Sequence, residues 1–190
     1  MKYLFVSWLF VSLGTVVLGQ DYPIYTLEQV RFAQADTVFG LDLSKQKLDE
    51  LPEEICRFKA LKYLNVSRNN LNELPGFLDS LTQLESLDAG KNKFTVFPTA
   101  VCRMHQLSTL VLNRNDFSSI PDCIRYAEKL VFIDLWDTPV YTFPDGLSQL
   151  SELRKIDLQG VKYGPTFQDQ LKSKLPGVEI LMDLPCDCME

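Results

Sequence analysis

Cys102 and His105, the latter the chain's single histidine, stand three residues apart. On one turn of helix that spacing brings a thiol and an imidazole together, the start of a nucleophilic pair. Such a pair also needs an orienting third group and a pocket, and the surrounding sequence supplies neither. A hydrolase or redox role through Cys102/His105 therefore ranks third among the functional readings. Cys186 and Cys188 lack the second ligand pair of a zinc site. Glu53 and Glu54 fall on a solvated turn, and no glycine-rich loop is available to cradle a phosphate. No catalytic residue, metal or cofactor is expected.

A second constellation suits recognition rather than reaction. Val111, Phe132 and Trp136 are apolar at positions where a solvated surface should be polar, and Arg114, Asp134 and Asp137 flank them. Exposed aromatic groups beside charge are the usual makings of a binding hot spot. The competing account is that Trp136 folds over the rim onto Pro139 and Tyr141 as packing.

What positions these residues is a beat of 23, free of insertions from Val38 to Gly160. It runs through Leu41, Leu64, Leu87, Leu110, Ile133 and Ile156, with partners two residues on at Leu43, Val66, Ala89, Leu112, Leu135 and Leu158. Alternation across each pair predicts a short strand with one buried face. A polar slot follows at Gln46, Asn69, Asn92, Asn115 and Thr138, then prolines at 52, 75, 98, 121 and 144. Asparagine tolerates unusual backbone angles and can bond main-chain groups inside a bend, so the stacked amides predict an internal ladder. Proline cannot sit in a central strand, so each unit returns along the outside as a short helical turn. One such unit cannot bury its leucines alone, whereas six stacked ones can.

The pattern L-x-x-L-x-L-x-x-N-x-L-x-x-L-P, as in Leu61 to Pro75 with Val66 in the third leucine slot, resembles the leucine-rich repeat family. The resemblance implies an α/β fold: a right-handed solenoid or horseshoe, with a parallel concave sheet and short convex helices. The layout further resembles secreted bacterial leucine-rich repeat proteins, especially Bacteroidetes-type ones. Such proteins mostly bind other proteins, which carries a function only by analogy.

Repeat arithmetic then sorts the exposed side of the sheet into stripes. One holds Asp42, Asn65, Asp88, Val111, Asp134 and Asp157, and another Gly40, Tyr63, Ser86, Thr109, Phe132 and Lys155. Beyond the strands run Ser44, Ser67, Gly90, Asn113, Trp136 and Gln159, then Lys45, Arg68, Lys91, Arg114, Asp137 and Gly160. The partner-binding candidates are Tyr63, Arg68, Lys91, Val111, Arg114, Phe132, Asp134, Trp136 and Asp137. Mutual solvation of opposite charges on neighbouring stripes is the plainer account of the charged columns.

Residues 1–19 carry one charge, Lys2, and an apolar run from Tyr3 to Leu18, and read as a signal peptide cleaved before Gln20. An uncleaved membrane anchor is the alternative; the run is short for a span of about 20 residues. The chain is therefore expected to be exported: secreted, periplasmic or held at the cell surface, with no stable membrane insertion after cleavage. Residues 20–37 form a linker and capping helix, with Thr26 and Gln29 spaced for a capping box. The array occupies 38–160, and 161–190 is a helix–strand cap with a cysteine-containing tail. The final strand starts at Val178, 22 residues after Ile156.

Export permits disulfides among the five cysteines. Cys56 and Cys102 share a position two repeats apart, about 10 Å at the strand spacing, beyond bonding reach. Both read as small apolar packers. Cys102 and Cys123 lie in adjacent repeats at the limit of reach, and the pairing of Cys123, Cys186 and Cys188 stays open. A formal charge of −6 without a dense basic run argues against nucleic acid as a partner. The reading is a monomeric, non-enzymatic, exported module that binds a protein or peptide on its concave face. A carbohydrate-binding surface, with Trp136 stacked on a sugar, is the alternative.

Overall fold

A computed structural model of the protein describes residues 22–185. Residues 1–19, Cys186 and Cys188 lie outside that range, so the signal peptide and the tail cysteines do too. The described chain forms one sheet of eight parallel strands whose spatial order is their chain order. They are β1 (Ile24–Thr26), β2 (Gly40–Asp42), β3 (Tyr63–Asn65), β4 (Ser86–Asp88), β5 (Thr109–Val111), β6 (Phe132–Asp134), β7 (Lys155–Asp157) and β8 (Glu179–Leu181). From β2 to β7 each residue pairs with the one 23 positions on, so Leu41, Leu64, Leu87, Leu110, Ile133 and Ile156 form one buried row.

Each proline of the beat stands just before a five-residue 3-10 turn: Glu53–Arg57, Gly76–Ser80, Thr99–Arg103, Asp122–Tyr126 and Asp145–Gln149. Its φ lies between −66° and −76°, which the pyrrolidine ring favours, and its carbonyl accepts the N–H three residues on. The turns return Ile55, Leu78, Val101, Ile124 and Leu147 to the core behind the strand leucines. Between strand and turn the asparagine ladder forms as expected. Asn69 accepts the N–H groups of Gln46 and Leu48 at 3.0 and 3.1 Å and donates to the carbonyls of Leu43 and Val66 at 2.9 and 2.8 Å. Asn92 and Asn115 repeat the pattern, and Thr138 continues it by donating to Leu112 at 3.2 Å.

Both ends of the array are closed, each with a departure from expectation. Thr26 and Gln29 form the capping box of helix α1 (Leu27–Val30). The same Thr26 also ends β1, a strand outside the 23-residue beat that pairs with β2. Arg57 fixes this cap by donating to the Val30 carbonyl at 3.1 Å. At the other end helix α2 (Pro165–Lys174) precedes β8. The register of β8 sets Ile180, not Val178, beside Ile156, so the final step is 24 residues rather than 22. Tyr163 fills the space left where the ladder stops: its hydroxyl donates to the Val140 carbonyl at 2.9 Å and its ring stacks on Phe167 at 4.6 Å.

A disulfide joins Cys102 and Cys123, whose Cα atoms are 5.5 Å apart on adjacent return turns. Cys102 is therefore a linked residue and not merely a packer, because the repeat stacking brings its turn against the next. Cys56 is a free, half-buried thiol.

Candidate functional site

The acidic stripe on the sheet is structural before it is anything else. Asp42, Asn65, Asp88, Asp134 and Asp157 each accept, through Oδ1, the backbone N–H two residues on, at 2.8–3.0 Å. A side chain that bonds its own chain in this way terminates the strand and starts the turn. Burial pushes the Asp88 carboxyl above its ordinary range, and the neighbouring Asp134 and Asp42 add to that. Burial together with Asp88 and Asp42 raises the Tyr63 phenol to about 12, so Tyr63 is a half-buried neutral hydroxyl near pH 7.

One position beyond the turn start, the backbone becomes left-handed. Lys45, Arg68, Lys91, Arg114 and Asp137 have φ between 52° and 60°, and Gly160 occupies the same place in the sixth repeat at 86°. Their N–H groups donate to the next repeat at 2.7–3.1 Å, which pins the backbone and turns the side chains outward. Bulky residues with positive φ are uncommon, so one column of the array is held in a conformation that glycine would adopt freely.

The aromatic patch lies where this column meets repeats four and five. The Arg114 guanidinium sits 4.3 Å from the centroid of the Trp136 ring, and its Nε is 3.3 Å from an Asp137 carboxylate oxygen. Asp134 holds Trp136 from behind, accepting its N–H at 2.9 Å, and takes the Asn113 amide at 2.6 Å through its other oxygen. Asp134 thus orients the patch and has both oxygens committed. Phe132 and Trp136 are half-buried, while Val111 is only 8% exposed and so is a buried residue rather than a presented contact. Trp136 faces back towards Arg114 of the preceding repeat. The pairing was legible in principle, since 22 residues is one short of the beat and sets two neighbouring columns side by side.

The other chemical candidates are not brought together. The Cys102 sulfur is bonded to Cys123, so the Cys102/His105 pair has no thiol to activate. His105 is exposed on the outer turns, with Nδ1 3.0 Å from the Tyr126 carbonyl. Among the described residues no group of three or more His, Cys, Asp or Glu side chains could hold a metal ion. Asn65-Val66-Ser67 reads as a glycosylation sequon, but Ser67 is buried and donates to Asn65 Oδ1 at 2.7 Å. A groove of ≈ 550 Å³ lies between α1 and the first return turn, lined by Leu27, Leu48, Pro52 and Phe58 among others, without a nucleophile and base in reach of each other.

Residues 38–187 match the family model described as a leucine-rich repeat region. The chain belongs to the leucine-rich repeat family. No curated protein matches the sequence. Among solved structures, a leucine-rich repeat protein of Leptospira interrogans is similar at 27% identity and a TM-score of 0.65, over 78% of this chain and 36% of that one. Internalin C2 of Listeria monocytogenes is similar at 16% identity and 0.61, over 77% and 62% respectively. The PEPR1–AtPEP1 structure is similar at 22% and 0.62, over 82% and 23%. The chain spans less than two thirds of each of these longer proteins. The leucine-rich repeat horseshoe places the parallel strands on its concave face, and the Arg114–Trp136–Asp137 group lies just past the ends of β5 and β6, at the strand-exit rim of that face.

Proposed function

We propose that this leucine-rich repeat protein is an exported, monomeric, non-enzymatic module that binds a protein or peptide partner on its concave face. The observation that carries the reading is the stack of Arg114 on Trp136, closed by Asp137. An indole and a guanidinium, each held by neighbours, form a rigid, partly apolar contact on an otherwise polar sheet. Tryptophan and arginine so arranged are favoured at interface centres because little side-chain freedom is lost on binding. The family and its neighbours, PEPR1–AtPEP1 among them, support a protein-interaction role. The apolar leader at residues 1–19 and the Cys102–Cys123 disulfide support an oxidising destination.

The carbohydrate reading loses ground on one point. Sugar stacking needs an open indole face, and the guanidinium of Arg114 already covers one face of Trp136. Affinity capture from the source organism tests the proposal with three proteins: wild type, Trp136→Ala, and Tyr126→Ala on the exposed outer turn. Wild type and Tyr126→Ala are expected to hold the same protein partner and Trp136→Ala to lose it. A Trp136→Ala protein that keeps every partner would place the binding surface elsewhere, and glycan-array binding that is lost in the same variant would favour the sugar reading.

A further inference from the structure

The concave surface carries a second feature, on the repeats that precede the aromatic patch, which it meets at Arg114. Lys45, Arg68, Lys91 and Arg114 occupy the left-handed position of four successive repeats, and Lys47 and Lys93 stand two residues on in the first and third. At a strand spacing of about 4.8 Å the four column residues form a row about 14 Å long. Arg114 pairs with Asp137. The other five cations have no ion-pair partner among the described residues. They stand together on a protein whose formal charge is −6. Partial burial, and after it the adjacent Arg68 and Arg114, lower the Lys91 pKa.

Backbone preference does not explain why cations are here. The turn requires positive φ, Gly160 shows the unstrained solution, and lysine or arginine in that conformation carries a steric cost that glycine lacks. Nor does the aspartate stripe neutralise the row. Asp42 and Asp88 each commit one oxygen to their own turn. Their second oxygens take no hydrogen bond among the described residues, which leaves acceptors free beside the row. A ligand matching both stripes presents anions towards the rim and N–H donors towards the inner aspartates. An acidic polypeptide does so with its carboxylates and its main chain, whereas a polyphosphate brings anions alone. The row equals four or five residues of extended chain at about 3.3 Å each.

We propose that the strand-exit rim of repeats one to four, built from Lys45, Lys47, Arg68, Lys91, Lys93 and Arg114, docks an acidic segment of a polypeptide partner. This rests on the reading of the concave sheet as a protein-binding face and names the chemistry of what it binds. The test is fluorescence anisotropy of the purified, oxidised protein with fluorescein-labelled hexaglutamate, against hexaserine and a sulfated heparin oligosaccharide. Hexaglutamate is expected to bind in 20 mM salt at least about tenfold more tightly than hexaserine, and to weaken at least about tenfold at 300 mM as the Debye length shrinks.

The triple variant Lys45→Gly, Arg68→Gly, Lys91→Gly is expected to lose binding by at least about thirtyfold while its melting temperature stays level, since glycine suits the left-handed site. A second triple, with asparagine at the same positions, guards against glycine's effect on the unfolded chain and is expected to lose binding equally. Tyr126→Ala, exposed on an outer turn away from the rim, is expected to change hexaglutamate affinity by less than about twofold. Equal binding of hexaglutamate to wild type and either folded triple variant would overturn the inference. So would binding of the sulfated oligosaccharide alone, which would assign the rim to a polysaccharide. Loss of partner capture in Trp136→Ala alongside indifferent hexaglutamate would leave the protein-binding reading standing and remove only this one.

Discussion

Asp88 and Asn65 occupy successive places in one stripe and perform one local task, accepting a backbone N–H at the strand exit through Oδ1. The charge on Asp88 is therefore not needed for that bond. Burial raises its folded-state pKa above the unfolded value, with Asp134 and Asp42 adding to the shift. The folded protein then holds that proton more firmly than the unfolded chain does, so the stability linked to Asp88 falls as pH rises between the two values and stays lower above them. Asp88→Asn is accordingly expected to be more stable than wild type at pH 7, with the advantage vanishing in acid where Asp88 is protonated in both states. Urea denaturation of the two proteins at pH 7 and pH 3 checks this; an asparagine variant weaker at pH 7 would show that the charge itself is needed. At this scale the sequence told where each side chain stands, because the beat assigns columns. It did not tell what each is bonded to. The turn role of the aspartates and the left-handed φ beneath the cations depend on backbone geometry that residue type reports poorly, since lysine and arginine are unusual there.

Elements were legible wherever the beat ran and less so where it stopped. The six repeat strands, the ladder, the prolines before each return and the C-terminal helix all follow from period and residue type. β1 did not, because Ile24–Thr26 has no copy 23 residues away and Thr26 reads first as a helix cap. The slipped register of β8 reflects the ten-residue helix α2, longer than the five-residue 3-10 turns it replaces. The Cys102–Cys123 link was open in sequence because column membership gives spacing but not the direction of a side chain on an outer turn. With 21 residues of separation, the bond restricts the unfolded chain and adds about 3 kcal/mol by loop closure. Reduction, or Cys102→Ser, is expected to lower denaturation stability by about that amount. Cys56→Ser, whose thiol is free, is expected to change it far less. Non-reducing peptide mapping provides the direct check, and unlinked Cys102 and Cys123 peptides from the exported protein would refute the bond.

At the scale of the molecule, each repeat touches only its neighbours, so stability is a sum of units and interfaces rather than the property of one central core. The N-terminal end shows how such a chain begins. Every repeat but the first sets a side chain at the first strand position, from Tyr63 through Ser86, Thr109 and Phe132 to Lys155; the first has Gly40. A Cβ built there would meet Ile24 Cγ1 at 3.0 Å and the Pro23 carbonyl at 3.3 Å, both on or beside β1. Glycine fits where any side chain would press on the capping strand. Gly40→Val is therefore expected to lift β1 and α1 away and to expose Val30, the buried residue of α1, together with Val38. In a globular core the damage would spread, but in a nearest-neighbour array it should decay along the axis. Hydrogen exchange is expected to quicken across residues 24–43 and to stay near wild type from β5 to β7, where the disulfide also braces the outer turns. Uniform acceleration across all eight strands would instead show that the array unfolds as one unit, with its cap acting as a cooperative part of the core.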